Sequence, residues 1–280
     1  MQVTLREGLR RRLLLALFGL SVVAVALTAW GYSQLGNLPA SRNGALKPAE
    51  IQLIASQLLI LVMFMFSFVL ALSAVFAAAP SVAGELESGE ALAVLARPVR
   101  RRDVLLGKWL GLGLVIVVYA GLATTLELAV AQLTTGYRPP HPLEAALYLA
   151  TMGLTLLGLT LLLSTRLAPV TTGIVAMLLF GLAWLAGVVG GIGTALGDPA
   201  TAMAGTIGRL VIPSDGLWRG ALYSLEPGAV LAAGARAGPG LAAFPFFAPA
   251  PPPLIYLAWA LAWNLGAIGL AIFSLERRDL

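Results

Sequence analysis

Nine charged residues fall within GELESGEALAVLARPVRRRDVLLGKWLG (84–111): Glu85, Glu87, Glu90, Arg97, Arg100, Arg101, Arg102, Asp103 and Lys108. The rest of the chain is largely apolar. Charges at this density could cradle a phosphate, move a proton or grip another protein. The first requires G-x-x-x-x-G-K-[ST], so that backbone amides wrap the phosphates and a hydroxyl reaches magnesium. Here Arg102 stands where the first glycine belongs, and Trp109 follows Lys108. GGIGT (190–194) has glycines but no lysine, and suits close helix packing, as do Gly187 and Gly191 at small-xxx-small spacing. No G-x-S-x-G or H-E-x-x-H occurs, and no pair of carboxylates falls within one apolar run. The sequence therefore carries no nucleotide-binding motif and predicts no catalytic residue, cofactor or metal. Gripping a partner is the chemistry left to the charged stretch.

Few other residues offer chemistry. Cysteine is absent, which removes disulfides, thiolate metal sites and a cysteine nucleophile. The single histidine, His141, lies in RPPHP, a proline-stiffened loop, without the convergent ligands a metal needs. Met63 and Met65 are two residues apart, so on a helix they point in different directions. Glu127 is the one acid well inside an apolar run, about 28 Å along a helix from Lys108. An ionisable residue there either reaches the headgroups and a loop arginine or lines a solute pathway. Thr124 and Gln57 are the further pathway candidates.

The elements that position these residues are membrane helices. The 280 residues are 59% hydrophobic and 11% charged, against about 25% charged in a soluble domain, and the mean hydropathy is +0.90. Too little polar surface exists to cover a water-facing globule. The net charge of +5 reads as orienting charge at helix ends rather than nucleic-acid affinity. About 20 apolar residues cross a bilayer, and six runs qualify, at roughly 13–33, 52–79, 107–134, 145–165, 170–195 and 254–275. The first run is longer than a signal-peptide core and reads as a retained helix. With the N-terminus inside, twelve Arg and Lys fall on the inner side and six on the outer, so both termini are expected in the cytoplasm. Residues 1–12 read as a basic helix lying on the inner surface. The segment 196–253 reads as an outer region in which PSDGLWRG starts a short helix capped by Ser214 or Asp215. APAPPP (248–253) forms a stiff lead into the last span, and Phe244, Phe246 and Phe247 are candidate contact or membrane-dipping residues. The fold class is thus an all-α polytopic membrane protein, one domain over 1–280.

Between the second and third runs the connector, 80–106, is far longer than a simple helix linker. Pro80 is expected to end the second span and Ser81 to cap a short amphipathic helix over 82–96, with Glu85 and Glu87 in its first turns. Arg97-Pro98 then breaks it. This order, E-L-E-S-G-E followed by leucines, Pro98-Val99-Arg100-Arg101 and Gly107-Lys108, resembles the signature of ABC-2 type transporter permeases. The basic lead-in, the six spans, the PSDGLWR segment and the RRD tail extend the resemblance over the whole chain. One branch of that family serves maturation of nitrous-oxide reductase, and the long outer segment is similar to that branch.

The resemblance implies a membrane subunit of an exporter. Two copies, identical or related, would pair in the lipid. Two cytoplasmic ABC ATPase subunits, which bind the ATP and Mg, would dock on the coupling helix, gripping Glu85, Glu87, Glu90, Arg97, Arg100, Arg101, Arg102 and Asp103. The setting would be the inner or plasma membrane of a prokaryote, and the outer segment leaves room for an extracytoplasmic partner. Two alternatives stay open: an ATP-independent channel or secondary transporter, and a membrane anchor of a signalling complex. The first would show an inverted repeat or chains of ionisable residues in the spans, and neither is visible.

Overall fold

The computed structural model describes residues 19, 21–35, 47–87, 100–238, 240 and 244–278, and in these every regular element is a helix. Helix α1 covers residues 21–35. It is followed by α2 (Pro48–Glu87), α3 (Arg101–Thr135), α4 (Pro142–Ser164), α5 (Pro169–Leu196), α6 (Pro199–Val211), α7 (Ser214–Leu225), α8 (Gly228–Ala237) and α9 (Leu254–Glu276). Five of these (α2, α3, α4, α5 and α9) are long and apolar enough to cross a membrane. The described part of the first expected span, α1, is helical too. The expected surface helix 1–12 lies outside the described residues, as do 88–99 of the connector.

Helix ends follow local chemistry. Proline opens α4, α5 and α6, where its missing N–H costs nothing and its fixed φ suits the first turn. Asp198 caps α6 by accepting from the amides of Ala200 (3.2 Å) and Thr201 (3.3 Å). Gly136 and Gly197 end α3 and α5 at φ 72° and 69°, the left-handed conformation that closes a helix.

Pro80 does not end the second span. α2 runs 40 residues through it to Glu87, about 60 Å at 1.5 Å per residue. It therefore projects beyond a bilayer core of about 30 Å. An interior proline strips an amide from the ladder, yet the helix continues past it. The Ser81 hydroxyl donates to the Ala78 carbonyl at 2.7 Å, so Ser81 is no N-cap. The Lys108 ammonium of α3 donates to the Ser81 carbonyl. Residues 82–87 are thus the end of α2 rather than the start of a separate helix.

α4 is the centre of the bundle, in contact with α2, α3, α5, α7 and α9. Its Leu149, Met152, Leu156, Leu157 and Leu161 are all buried. It runs parallel to α9, and Asn264 of α9 donates to the Thr155 hydroxyl at 3.0 Å, a polar fastener of the kind that joins helices in lipid. Met63 is buried and Met65 exposed, as their spacing requires.

The segment expected as an outer region packs back against the bundle. α6 returns along α5, with Gly190 and Gly205 in near backbone contact. A Cβ on Gly190 would lie 2.7 Å from the Gly205 Cα. α7 then climbs out along α4, and the Ser224 carbonyl accepts from the His141 amide at 3.2 Å. At 13 and 12 residues these helices are too short to span, since a crossing takes about 20, so a chain that enters must turn and leave. Gly187, level with the turn, is nine residues from the end of α5, about 14 Å inward. Phe246 and Phe247 are turned inward as well. Phe246 meets Phe64 of α2 at 4.9 Å, and Phe64 also meets Trp218 of α7 at 5.4 Å. Of the three phenylalanines, Phe244 alone is well exposed.

Candidate functional site

Three polar constellations interrupt the apolar bundle. The first ties the helix ends that flank residues 88–99. Lys108 donates to the Glu85 carboxylate as well as to the Ser81 carbonyl, joining α2 to α3. Both side chains are partly buried, so the pair is less screened than a surface bridge. Arg101, in the first turn of α3, donates to the carbonyls of Leu275 (3.0 Å) and Arg278 (2.7 Å). Carbonyls at the end of α9 lack helix partners and carry the negative end of its dipole, so they suit a guanidinium. Arg166 holds Ser274 through its Nε at 2.8 Å, which adds the end of α4.

The predicted docking residues therefore divide. Glu85 and Arg101 are engaged within the chain. Arg100 is exposed, and Arg102 and Asp103 are exposed with 3.5 Å between Nε and Oδ1. Glu87 closes α2; Glu90 and Arg97 lie outside the described residues. Lys108 faces inward to α2.

The second constellation surrounds Glu127. Its side chain is only 2% exposed, so it is no headgroup-reaching carboxylate. The Thr28 hydroxyl of α1 donates to one oxygen at 3.4 Å, and the other has no partner among the described residues. Glu127 borders a cavity of about 370 Å³ between α1, α2 and α3, lined otherwise by apolar side chains with Ser21 and Thr28. Thr124, one turn earlier, is fully buried. Gln57 is exposed on α2 and lies outside this cavity. Of the three predicted pathway residues, Glu127 lines this cavity and Thr124 and Gln57 do not.

Sequence reasoning missed the third constellation. Asp215 was expected as an N-cap, yet Pro213 holds that position and no side chain caps α7. Asp215 is 3% exposed. Its Oδ2 accepts from Arg209 Nε at 2.8 Å and Arg219 Nε at 3.1 Å. Both guanidiniums also donate to the Gly187 carbonyl, at 3.1 and 3.0 Å. Gly187 must be glycine here, because a Cβ would stand 2.0 Å from Asp215 Oδ2. The Asp215–Arg219 spacing of four is a signal in the sequence; the third member and the glycine depend on the hairpin.

At the same end of the bundle, Glu226 follows α7 and is fully buried. Burial pushes its carboxyl up to about 8, and the Ala248 amide favours the charged form only partly. The neighbouring Tyr137 hydroxyl, which donates to the Leu225 carbonyl at 2.6 Å, is also raised by burial and by Glu226.

No group of three or more His, Asp or Glu that could hold a metal occurs among the described residues. The fold and its polar ends define a multi-pass helical membrane protein whose long connector joins two helices clamped to the rest of the bundle. The family of ABC-2 family transporter proteins matches residues 4–280, and the chain belongs to that family. It is accordingly a transmembrane permease component of an ABC transporter, a type that works with an ATPase subunit. No curated protein matches the sequence.

Proposed function

We propose that this chain forms the translocation pathway of an exporter in a prokaryotic plasma membrane, with both termini cytoplasmic, and is driven by two copies of a separate ABC ATPase. ATP and Mg belong to that partner. Membership of the family over nearly the full length carries the reading, and the clamp at the Lys108 end supports it. A docking segment that transmits force must be held at both ends. The helix ends on either side of residues 88–99 are tied, with α2 joined to α3 through Glu85–Lys108 and α3 joined to α9 through Arg101. The docking surface then comprises Arg100, Arg102 and Asp103 with Glu87, Glu90 and Arg97. Glu85 and Arg101 hold it in place.

A second copy would complete the pathway. α5 shows one apolar stripe, Val170, Ile174, Leu178, Leu182, Leu185 and Val189, all exposed, which suits lipid or a partner span. Glu127 and Thr124 are the pathway groups, with Gln57 on the outer face of α2.

The test is co-purification of the ATPase with Arg100→Glu/Arg102→Glu in mild detergent. These two exposed side chains can be reversed without touching the clamp. The ATPase is expected to be lost while the chain still inserts and co-purifies with itself. An ATPase that stays bound would place docking elsewhere.

A further inference from the structure

Beside the hairpin turn lies a cavity of about 360 Å³, walled by Gly191 and Thr194 of α5, Thr206 and Arg209 of α6, Arg219 of α7 and the proline run 249–253. Its size falls within the roughly 300–1,000 Å³ of small-molecule sites. Two guanidiniums face one carboxylate there, and no acidic residue among the described residues lines the cavity, so these residues leave one positive charge uncompensated. A partly buried charge without a counterion is costly.

The remaining hydrogen-bond capacity is also one-sided. Each arginine spends its Nε on Asp215 and its Nη2 on the Gly187 carbonyl. The Nη1 of each has no partner among the described residues. The neighbouring hydroxyls are occupied: Thr194 donates to Gly190, Thr206 to Ala202 and Tyr256 to Arg209 and Pro213. The donors left to the cavity are those of two guanidiniums fixed in place by their other bonds. A planar fork held in this way selects phosphate or carboxylate oxygens. The proline run forms a stiff opposite wall, extended at Pro253 (φ −64°, ψ 152°).

We infer that the cavity between Arg209, Arg219 and the proline run is a binding site for one phosphate-bearing anion, independent of the ATPase-docking end. A lipid headgroup and a free phosphate share this chemistry. The full-length chain, delipidated in a neutral detergent, would be titrated with phosphatidylglycerol and with phosphatidylcholine by native mass spectrometry, then challenged with inorganic phosphate. Thr206→Glu places a carboxylate on the exposed wall without disturbing the Arg–Asp–Arg cluster, and an unchanged thermal midpoint would show that it folds. Arg209→Gln removes the surplus charge itself.

One phosphatidylglycerol per chain is expected, held in preference to phosphatidylcholine and weakened about tenfold in Thr206→Glu. Retention against excess inorganic phosphate would assign the site to a lipid headgroup, and displacement to a free anion. Absence of binding by either probe, or equal binding in a folded Thr206→Glu, would overturn the inference.

Discussion

Glu226 shows how one buried carboxylate ties stability to pH. Its pKa rises from the model-compound value of 4.5 to about 8. Between these values the folded chain keeps a proton that the unfolded chain releases. Stability therefore falls as pH rises from about 4.5 to about 8 and levels off above. The thermal midpoint in detergent is expected to drop across that window, and Glu226→Gln should flatten the drop and melt higher than the parent at pH 8. An unchanged slope in the variant would mean that Glu226 is already charged at the lower pH. Gly187 makes a steric case at the same scale. Asp215 is held by two arginines and cannot swing from an added methyl, so Gly187→Ala should cost about 1–3 kcal/mol, read as a lowered midpoint. Little of this was legible in the sequence. Glu127 could be singled out because a charge in an apolar run is rare, whereas Asp215 and Glu226 lie among ordinary loop-forming residues until the fold buries them.

At the scale of elements, prolines and glycines marked most boundaries. Pro142, Pro169 and Pro253 stand at or beside the starts of α4, α5 and α9, close to the spans expected from apolar run length. Pro80 misled because its rule is local, whereas the Lys108 contact that holds this end of α2, at the Ser81 carbonyl, comes from another helix. The hairpin was hidden for a similar reason. The helix starting at PSDGLWRG was legible, but α6 was not, and only the approach of α6 to α5 shows what its glycines are for. That approach makes glycine substitutions strongly position-dependent. A Cβ on Gly205 would lie 2.3 Å from the Gly190 Cα, whereas Gly181 on α5 has open space. Gly205→Val is expected to separate α5 from α6 and lower the midpoint well below that of Gly181→Val. Equal effects would show that the hairpin does not pack along α5. The clamp is also open to test by charge exchange. Glu85→Lys alone places two cations together, and Glu85→Lys/Lys108→Glu should recover most of the loss, a coupling of about 1 kcal/mol for a partly buried pair.

The whole molecule has two polar ends that do different work. One end carries the Glu85–Lys108 pair, and Arg101 and Arg166 bound to the C-terminal end of α9. The other carries the hairpin, where Arg209 and Arg219, two of the six basic residues assigned to that side by sequence, are partly buried and paired with Asp215. The native chain lacks cysteine, so single cysteines can report side and depth without background. A membrane-impermeant maleimide applied to intact cells is expected to label His141→Cys, on the exposed α3–α4 loop. Arg102→Cys should react only after permeabilisation. Met203→Cys, exposed on α6, faces lipid if the hairpin dips into the bilayer, and should resist the charged reagent from both sides while reacting with an apolar one. Rapid aqueous labelling at 203 would lift the hairpin out of the membrane. The anion cavity would then face bulk water, where the same two arginines attract anions far more weakly because solvent screens them.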